Sequence, residues 1–201
     1  RADLLLDVIA DQAPGIIGFQ EATRWQYDYM VDVLTGYDSI IDCRDNSIIA
    51  EGCPIFYNQA LYSLKDKGSF WLSETPDVMS KDWGAAHYRI CSYVILTDKT
   101  SQKDFVVFNT HLDHVSDEAR IKGIAVVLDK IAQFGGLPSV IMGDFNAAMG
   151  SLCMEAVDQA GWGEAHEVTI GDLETLKAAK KMGFGDKFIA RQWKWIEMDV
   201  Y

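Results

Sequence analysis

Polar side chains that could do chemistry recur where short apolar runs of this sequence end. Three groups of such residues follow apolar runs, and a fourth residue stands near the end of the chain: Gln20-Glu21, Asn109-Thr110-His111-Leu112-Asp113-His114, Asp144-Phe145-Asn146 and Asp199. Apolar runs of this length predict buried strands, and strand ends on a common edge converge in space. Carboxylate and carboxamide oxygens gathered there would suit Mg²⁺ or Mn²⁺, which prefer hard oxygen ligands and retain water for chemistry.

Each polar group also has a purely structural interpretation. Carboxylates and carboxamides just after a strand commonly form turns or cap helices, and this applies to Glu21, Asp144 and Asn146. His111 and Asp113 stand two apart and would share one face of an extended strand, so they could address one ligand, while His114 would face elsewhere. A hydrogen-bonded structural histidine is the alternative for His111.

The hydrophobic pattern predicts the elements that would position these groups. Helical spacing of apolar residues predicts helices over 3–12, 23–34 and 117–134. The second helix is expected on the other side, relative to the first helix, of the strand that ends at Phe19. Residues 37–110 alternate short apolar runs with turn-rich pieces, which predicts an antiparallel meander. A helix near 173–181 and a closing strand over 193–201 complete the pattern. Helices around a strand-rich middle predict one α/β sandwich domain.

Composition sets limits on the function. The chain has 201 residues, 49% of them hydrophobic, which suits a single well-cored domain. A net charge of −12 argues against a protein that coats duplex DNA. We find no apolar run long enough to cross a membrane, and the acidic opening is unlike a signal peptide. The four scattered cysteines do not match zinc-site spacing, and both disulfides and buried thiols stay open as interpretations.

Four segments, taken together and in order, resemble a known family. They are Ile16-Ile17-Gly18-Phe19-Gln20-Glu21, Gly68-Ser69-Phe70-Trp71-Leu72-Ser73-Glu74-Thr75-Pro76, Asn109-Thr110-His111-Leu112-Asp113-His114 and Gly143-Asp144-Phe145-Asn146. The pattern resembles the endonuclease/exonuclease/phosphatase superfamily, in the branch of nocturnin-like and bacterial members, from residue 3 to about 155. This resemblance implies a four-layer α/β/β/α sandwich, in which two mainly antiparallel sheets pack face to face with helices outside.

The resemblance also implies a role for each polar residue. Glu21 matches the principal Mg²⁺ (or Mn²⁺) ligand, and His111 the histidine that bonds a phosphate oxygen. Asp144 and Asn146 match the pair that orients or activates the attacking water and contacts the scissile phosphate. The expected substrate-binding residues are Arg89, Asn109 and Asp113, with Glu51 as a supporting residue and a surface ion pair as the alternative for Arg89.

The chain departs from the family pattern at both ends. A first strand bearing an asparagine and a terminal Ser-Asp-His motif are missing from the sequence, and Asp199 matches the expected partner of the absent histidine. The expectation is therefore a single domain over 1–201 that is cut at both ends. Such a chain would be marginally stable, a poor catalyst and prone to self-association through exposed strand edges.

The expected function is hydrolysis of a small phosphoester or nucleotide by in-line attack of water, with a divalent metal ion bound. Duplex DNA is disfavoured because basic residues are sparse and unclustered, and no membrane partner is expected. One alternative is a single-strand nuclease whose tryptophans, such as Trp71, Trp83, Trp193 and Trp195, stack on bases, against the interpretation that they pack in the core. The other alternative is a catalytically impaired remnant that acts as a binding module.

Overall fold

The computed structural model describes residues 2–148 and 150–160, with side chains from residue 5 onward. In chain order the elements are α1 (Ala2–Gln12), β1 (Ile16–Gly18), β2 (Ala22–Thr23), α2 (Arg24–Val33), β3 (Tyr37–Ile40), β4 (Glu51–Gly52), β5 (Ile55–Asn58), β6 (Tyr62–Trp71), β7 (Ile90–Asp98), β8 (Asp104–His111), α3 (Asp117–Ala132), β9 (Ser139–Asp144) and α4 (Leu152–Gln159). The helix predicted near 173–181 and the closing strand over 193–201 lie outside the described residues.

The strands of the predicted meander divide between two sheets. The first sheet has the order β1-β5-β3 and is antiparallel, and a short ribbon pairs β2 with β4. The second sheet has the order β6-β7-β8-β9, antiparallel except for the parallel pair β8 and β9. The long strand β6 joins two of the short apolar runs of this region into one strand, whose register with β7 shifts between Leu64 and Asp66.

Three clusters of buried side chains define four layers. Ile16, Ile55 and Val107 belong to the cluster between the two sheets. Another cluster joins α1 and α2 to the outer face of the first sheet, and a third joins α3 and α4 to the second sheet. The predicted α/β/β/α sandwich is confirmed.

Both early helices cover the same face of β1. Ile17 packs with Ile9 of α1 and Met30 of α2, whereas its neighbour Ile16 points to the second sheet. Side chains alternate along a strand, so the second sheet already occupies the opposite face. The prediction that α2 lies on the far side of β1 from α1 is therefore wrong.

Helix α3 begins at Asp117, the first residue of the predicted helix, but ends at Ala132 rather than at residue 134. The Ser116 hydroxyl accepts a hydrogen bond from the Ala119 N–H at 3.2 Å, which makes Ser116 the N-cap and places Asp117 in the first turn.

Among the described residues, no helix is long and apolar enough to cross a membrane. None of the four cysteines, all of which lie in the described part of the chain, forms a disulfide.

Candidate active site

The parallel pair β8 and β9 brings two predicted site residues side by side. His111 and Asp144 are partners in the register, and the Leu112 N–H donates to the Asp144 carbonyl at 2.9 Å. Gly143, just before Asp144, has a φ of 141°, and a Cβ there would lie 1.9 Å from the Thr110 carbonyl oxygen. Only glycine allows β9 to approach β8 this closely, so Gly143 determines where Asp144 stands.

The imidazole of His111 is the meeting point of the predicted site residues. Its Nδ1 lies 3.9 Å from Glu21 Oε1, and its Nε2 lies 3.8 Å from Asp144 Oδ2. Its Nε2 is also 2.9 Å from Asn146 Nδ2. The sequence placed these four residues on three segments far apart in the chain, and the structure brings them together.

The contact with Asn146 determines the proton position on His111. An amide nitrogen only donates, so Nε2 of the ring accepts and the proton of the neutral ring is on Nδ1, toward Glu21. Burial lowers the pKa of His111, and the charge of Arg89 lowers it further, against the opposing effects of Asp144 and Glu21. The ring is therefore neutral near pH 7.

Asn146 has little freedom left for a substrate. Its Nδ2 donates to His111 and, at 3.0 Å, to the Leu112 carbonyl, and its backbone N–H donates to Asp144 Oδ1 at 2.9 Å. Both amide hydrogens are thereby used, which leaves Oδ1 as the group that faces a ligand. Through Oδ1, Asn146 can accept a hydrogen bond from water or bind a cation.

Two of the site residues have a backbone conformation that side chains rarely adopt. Glu21 has a φ of 57° and Asn146 a φ of 46°. For a non-glycine residue this left-handed conformation is sterically unfavourable, and such strain concentrates at functional sites. The carboxylate of Glu21 and the carboxamide of Asn146 are therefore held in place by the surrounding fold.

Asn109 positions the site rather than contacting a substrate. Its side chain has no exposed surface, and its Nδ2 donates to the carbonyls of Phe19 and Pro54, each at 2.9 Å. Its Oδ1 accepts from Gln20 Nε2 at 2.7 Å. Every polar atom is used, which corrects our assignment of Asn109 to substrate binding. Its bonds tie β8 to the segment that carries Glu21.

Asp113 is likewise closed to a substrate. It is 1% exposed and accepts hydrogen bonds from the backbone N–H groups of Ala86, Val115 and Ser116. Burial alone would raise the pKa of Asp113, but these three donors and Arg89 outweigh it and lower the pKa to about 2. Strand β8 ends at His111, so the alternation that placed both side chains on one face does not extend to Asp113.

Arg89 is buried, which excludes the surface ion pair that we considered for it. Its side chain is 5% exposed, its Nε lies 3.5 Å from Asp113 Oδ2, and its Nη2 lies 2.9 Å from His114 Nδ1. With Glu21 and His111 it lines a narrow cleft. The structure thus places Arg89 beside the site, supported by Asp113.

The sequence analysis missed a second arginine in that cleft. Arg44 lies between β3 and β4, and its Nη1 is 2.8 Å from Glu51 Oε2, so Glu51 acts by holding this arginine. The backbone of Arg44 is also fixed, because its carbonyl accepts from Trp71 Nε1 at 2.8 Å. In the sequence Arg44 stands among turn-forming residues, and only its pairing with Glu51 could have distinguished it from a solvated loop charge.

The donor set suits a hard divalent cation held mainly by substrate and water. Within residues 2–148 and 150–160, no three His, Cys, Asp or Glu side chains cluster closely enough to enclose a metal ion. Glu21 and Asp144 nevertheless present open carboxylates, 65% and 55% exposed, on either side of one neutral imidazole. Magnesium commonly binds through one or two carboxylates together with water and phosphate oxygens, so these residues fit it. Asp199 lies outside the described residues.

The family model of the endonuclease/exonuclease/phosphatase family matches residues 1–152. The chain belongs to this family. The resemblance proposed from the sequence is thereby confirmed, and members of the family are generally hydrolases that depend on a divalent metal ion.

Solved structures of bacterial family members are similar to this chain. A family protein from Bacteroides thetaiotaomicron is 35% identical with a TM-score of 0.75, over 79% of this chain and 59% of that chain. A mannosyl-6-phosphatase from Bacteroides thetaiotaomicron VPI-5482 is 34% identical with a TM-score of 0.75, over 79% of this chain and 61% of that one. The matched region is therefore less than two thirds of the length of these relatives.

The human nocturnin catalytic domain, solved with a bound sulfate anion, shares the fold. It is 20% identical with a TM-score of 0.65, over 79% of this chain and 62% of that chain. At this identity the similarity establishes the architecture alone.

Proposed function

We propose that this chain is a phosphoester hydrolase that uses Mg²⁺ or Mn²⁺ to cleave a small or nucleotide-like phosphoester by in-line attack of water. The observation that carries the proposal is the convergence of Glu21, Asp144 and Asn146 on the imidazole of His111. Two exposed carboxylates and a neutral histidine are groups that can bind a cation and a phosphate together.

Each side chain has a role that follows from its free atoms. Glu21 and Asp144 would hold the metal ion, which offsets phosphate charge and stabilises the leaving oxygen when bound. The Nδ1 hydrogen of His111 is available to a phosphate oxygen. Asn146 Oδ1 is an acceptor beside Asp144, so both groups can orient the attacking water, and the Asp144 carboxylate can take up its proton.

A small substrate is favoured over a nucleic acid. A relative 34% identical to this chain is a mannosyl-6-phosphatase, which supports a phosphorylated small molecule. The net charge of −12 opposes a long polyanion. Two of the tryptophans considered for base stacking are engaged within the protein: Trp71 bonds the Arg44 carbonyl, and Trp83 bonds Glu74 and lies under Lys122. Trp193 and Trp195 lie outside the described residues.

The proposal is tested by hydrolysis of p-nitrophenyl phosphate and bis(p-nitrophenyl) phosphate with Mg²⁺, Mn²⁺ or a chelator. Glu21→Gln and Asp144→Asn should each lower kcat roughly 100-fold or more, because each removes a charge from the reacting centre. Both side chains are exposed, so the melting temperature should change little.

Glu118→Gln is the matched control, because Glu118 is 61% exposed on α3 and pairs with Lys122 away from the site. Its kcat should equal that of the wild type. Turnover that survives chelation, or that Glu21→Gln and Asp144→Asn leave intact, would refute the proposal. Absence of turnover with every metal ion would favour the binding-module alternative.

A further inference from the structure

Two guanidinium groups lie in one cleft on the Glu21 side of His111. Arg44 and Arg89 line this cleft together with Glu21 and His111, whereas Asp144 and Asn146 do not contribute to it. The cleft is therefore separate from the side of the imidazole where Asn146 bonds. Neither arginine is required by the roles assigned above to the hydrolytic residues.

Both arginines have unused hydrogen-bonding capacity. The Nε atoms of Arg44 and Arg89 are buried and have no hydrogen-bond partner in the described part of the chain. Each Nε has a carboxylate oxygen nearby, Asp45 Oδ2 at 3.8 Å for Arg44 and Asp113 Oδ2 at 3.5 Å for Arg89, but neither contact is a hydrogen bond. Buried donors without acceptors are rare in proteins and often mark the place of a bound ion or water.

The two guanidinium groups are also held rigidly. Glu51 fixes one end of Arg44 at 2.8 Å, and Trp71 fixes its backbone. Asp113 and His114 hold Arg89. Glu51 and Asp113 thus position the two arginines but do not surround their guanidinium groups. Burial lowers the pKa of Arg89, Asp113 raises it, and the nearby charge of Arg44 lowers it. A bound anion would relieve the repulsion between the two arginines.

We propose that Arg44 and Arg89 form a second anion subsite, which binds an additional phosphate or carboxylate group of the substrate. The inference rests on the proposed function, because it assigns the cleft to the part of the phosphoester that is not cleaved. Guanidinium groups match the oxygens of both anions in bidentate geometry. Although the molecule carries a net charge of −12 and Glu21 and Glu51 also line the cleft, the two fixed guanidinium groups provide a local attraction for an anion.

The test compares substrates that differ only in the second anion. Glycerol 3-phosphate carries one anionic group, 3-phosphoglycerate adds a carboxylate, and glycerol 1,3-bisphosphate carries a second phosphate. The wild type should prefer either doubly anionic substrate in kcat/KM by roughly tenfold or more, as expected for charge-assisted hydrogen bonds. The size of the preference for each will identify which anion the subsite takes.

Arg44→Met should bring the ratio of kcat/KM between the doubly and singly anionic substrates close to one. Arg44→Lys should restore part of the preference. Arg44 is the position to change because Arg89 is buried and its loss would leave Asp113 unpaired. Lys65→Met is the control: it removes one positive charge at the other end of β8, beside Asp104, and should keep the wild-type ratio.

Binding separates this inference from the proposed hydrolysis. Calorimetric titration of the metal-free protein with the same three compounds should show the same preference, and Arg44→Met should abolish it. A preference in binding without turnover would refute hydrolysis and retain the subsite. Equal affinity for the singly and doubly anionic compounds, or an unchanged ratio in Arg44→Met, would overturn the subsite.

Discussion

At the scale of single residues, the atoms that remain unbonded decide what each site group can do. Asn109 and Asp113 use their polar atoms within the fold, so they act by holding other groups. Asn146 retains only Oδ1, while Glu21 and Asp144 remain open to solvent. Residue type alone would have given all five the same role.

Asp113 should make the stability of the fold depend on acid pH. Its pKa is about 2 in the folded state against an ordinary value of 3.8, so the folded state favours the ionised form. Its contribution is complete above pH 4 and is lost as the pH falls toward 2. At 1.36 kcal/mol per pKa unit, the loss in the free energy of unfolding is about 2 kcal/mol.

Urea denaturation between pH 6 and pH 2 measures this effect. Asp113→Asn should lower stability at pH 6 and flatten the pH dependence by that amount relative to the wild type. Asp77→Asn, on an exposed loop residue, provides the control. Parallel curves for the wild type and Asp113→Asn would contradict the assignment.

At the scale of elements, the pair β8 and β9 is the frame of the site. The parallel register places His111 opposite Asp144, and the positive φ of Gly143 permits the close approach of the two strands. The loop after β9 then turns Asn146 back to His111. Any change that separates these strands would therefore disrupt the arrangement that we propose for catalysis.

Gly143→Ala should disrupt this frame. The added methyl group would meet the Thr110 carbonyl at 1.9 Å, and backbone cannot move aside as a flexible side chain can. We expect a loss of roughly 2 kcal/mol or more in the free energy of unfolding and a larger proportional loss of kcat. Gly36→Ala is the matched control, since nothing lies within 4 Å of a Cβ at that position. Wild-type stability in Gly143→Ala would disprove the steric argument.

The sequence predicts where these elements lie in the chain better than it predicts which elements pair with one another. Apolar periodicity located α1, α2, α3 and β9, because periodicity reports which residues are buried. It did not assign strands to sheets, because burial is the same in either sheet. The resemblance singled out Glu21, His111, Asp144 and Asn146, whose convergence the structure provides. Arg44 was missed because its contacts depend on segments brought together only by folding.

At the scale of the whole molecule, the site straddles the two sheets. Glu21 follows β1 in the first sheet, while His111 and Asp144 end strands of the second. Asn109 of β8 bonds the Phe19 and Pro54 carbonyls across this junction. Gly18 lets the sheets meet there, because a Cβ would lie 2.9 Å from the Asn109 side chain. The alignment of the two sheets therefore also determines the geometry of the site.

Asn109→Asp should destabilise the junction strongly, although the two side chains have almost the same shape. A carboxylate oxygen would replace the amide that donates to two carbonyls, inside a fully buried position. An unpaired buried charge costs roughly 3 kcal/mol or more, measurable by urea denaturation. Asn58→Asp is the control, because there Oδ1 accepts from the Ala60 N–H and a carboxylate can do the same. Equal stability of the two variants would disprove the role of Asn109.

The left-handed backbone at Glu21 and Asn146 has a consequence for engineering. Glycine adopts that conformation without steric cost, so selection of variants for heat resistance alone would favour glycine at position 21, where the side chain is 65% exposed. At position 146 glycine would also remove the side-chain bonds to His111 and Leu112. A variant selected in this way would lack the carboxylate that we propose for metal binding. Libraries designed to raise the thermal stability of this protein should therefore keep positions 21 and 146 unchanged and vary other positions.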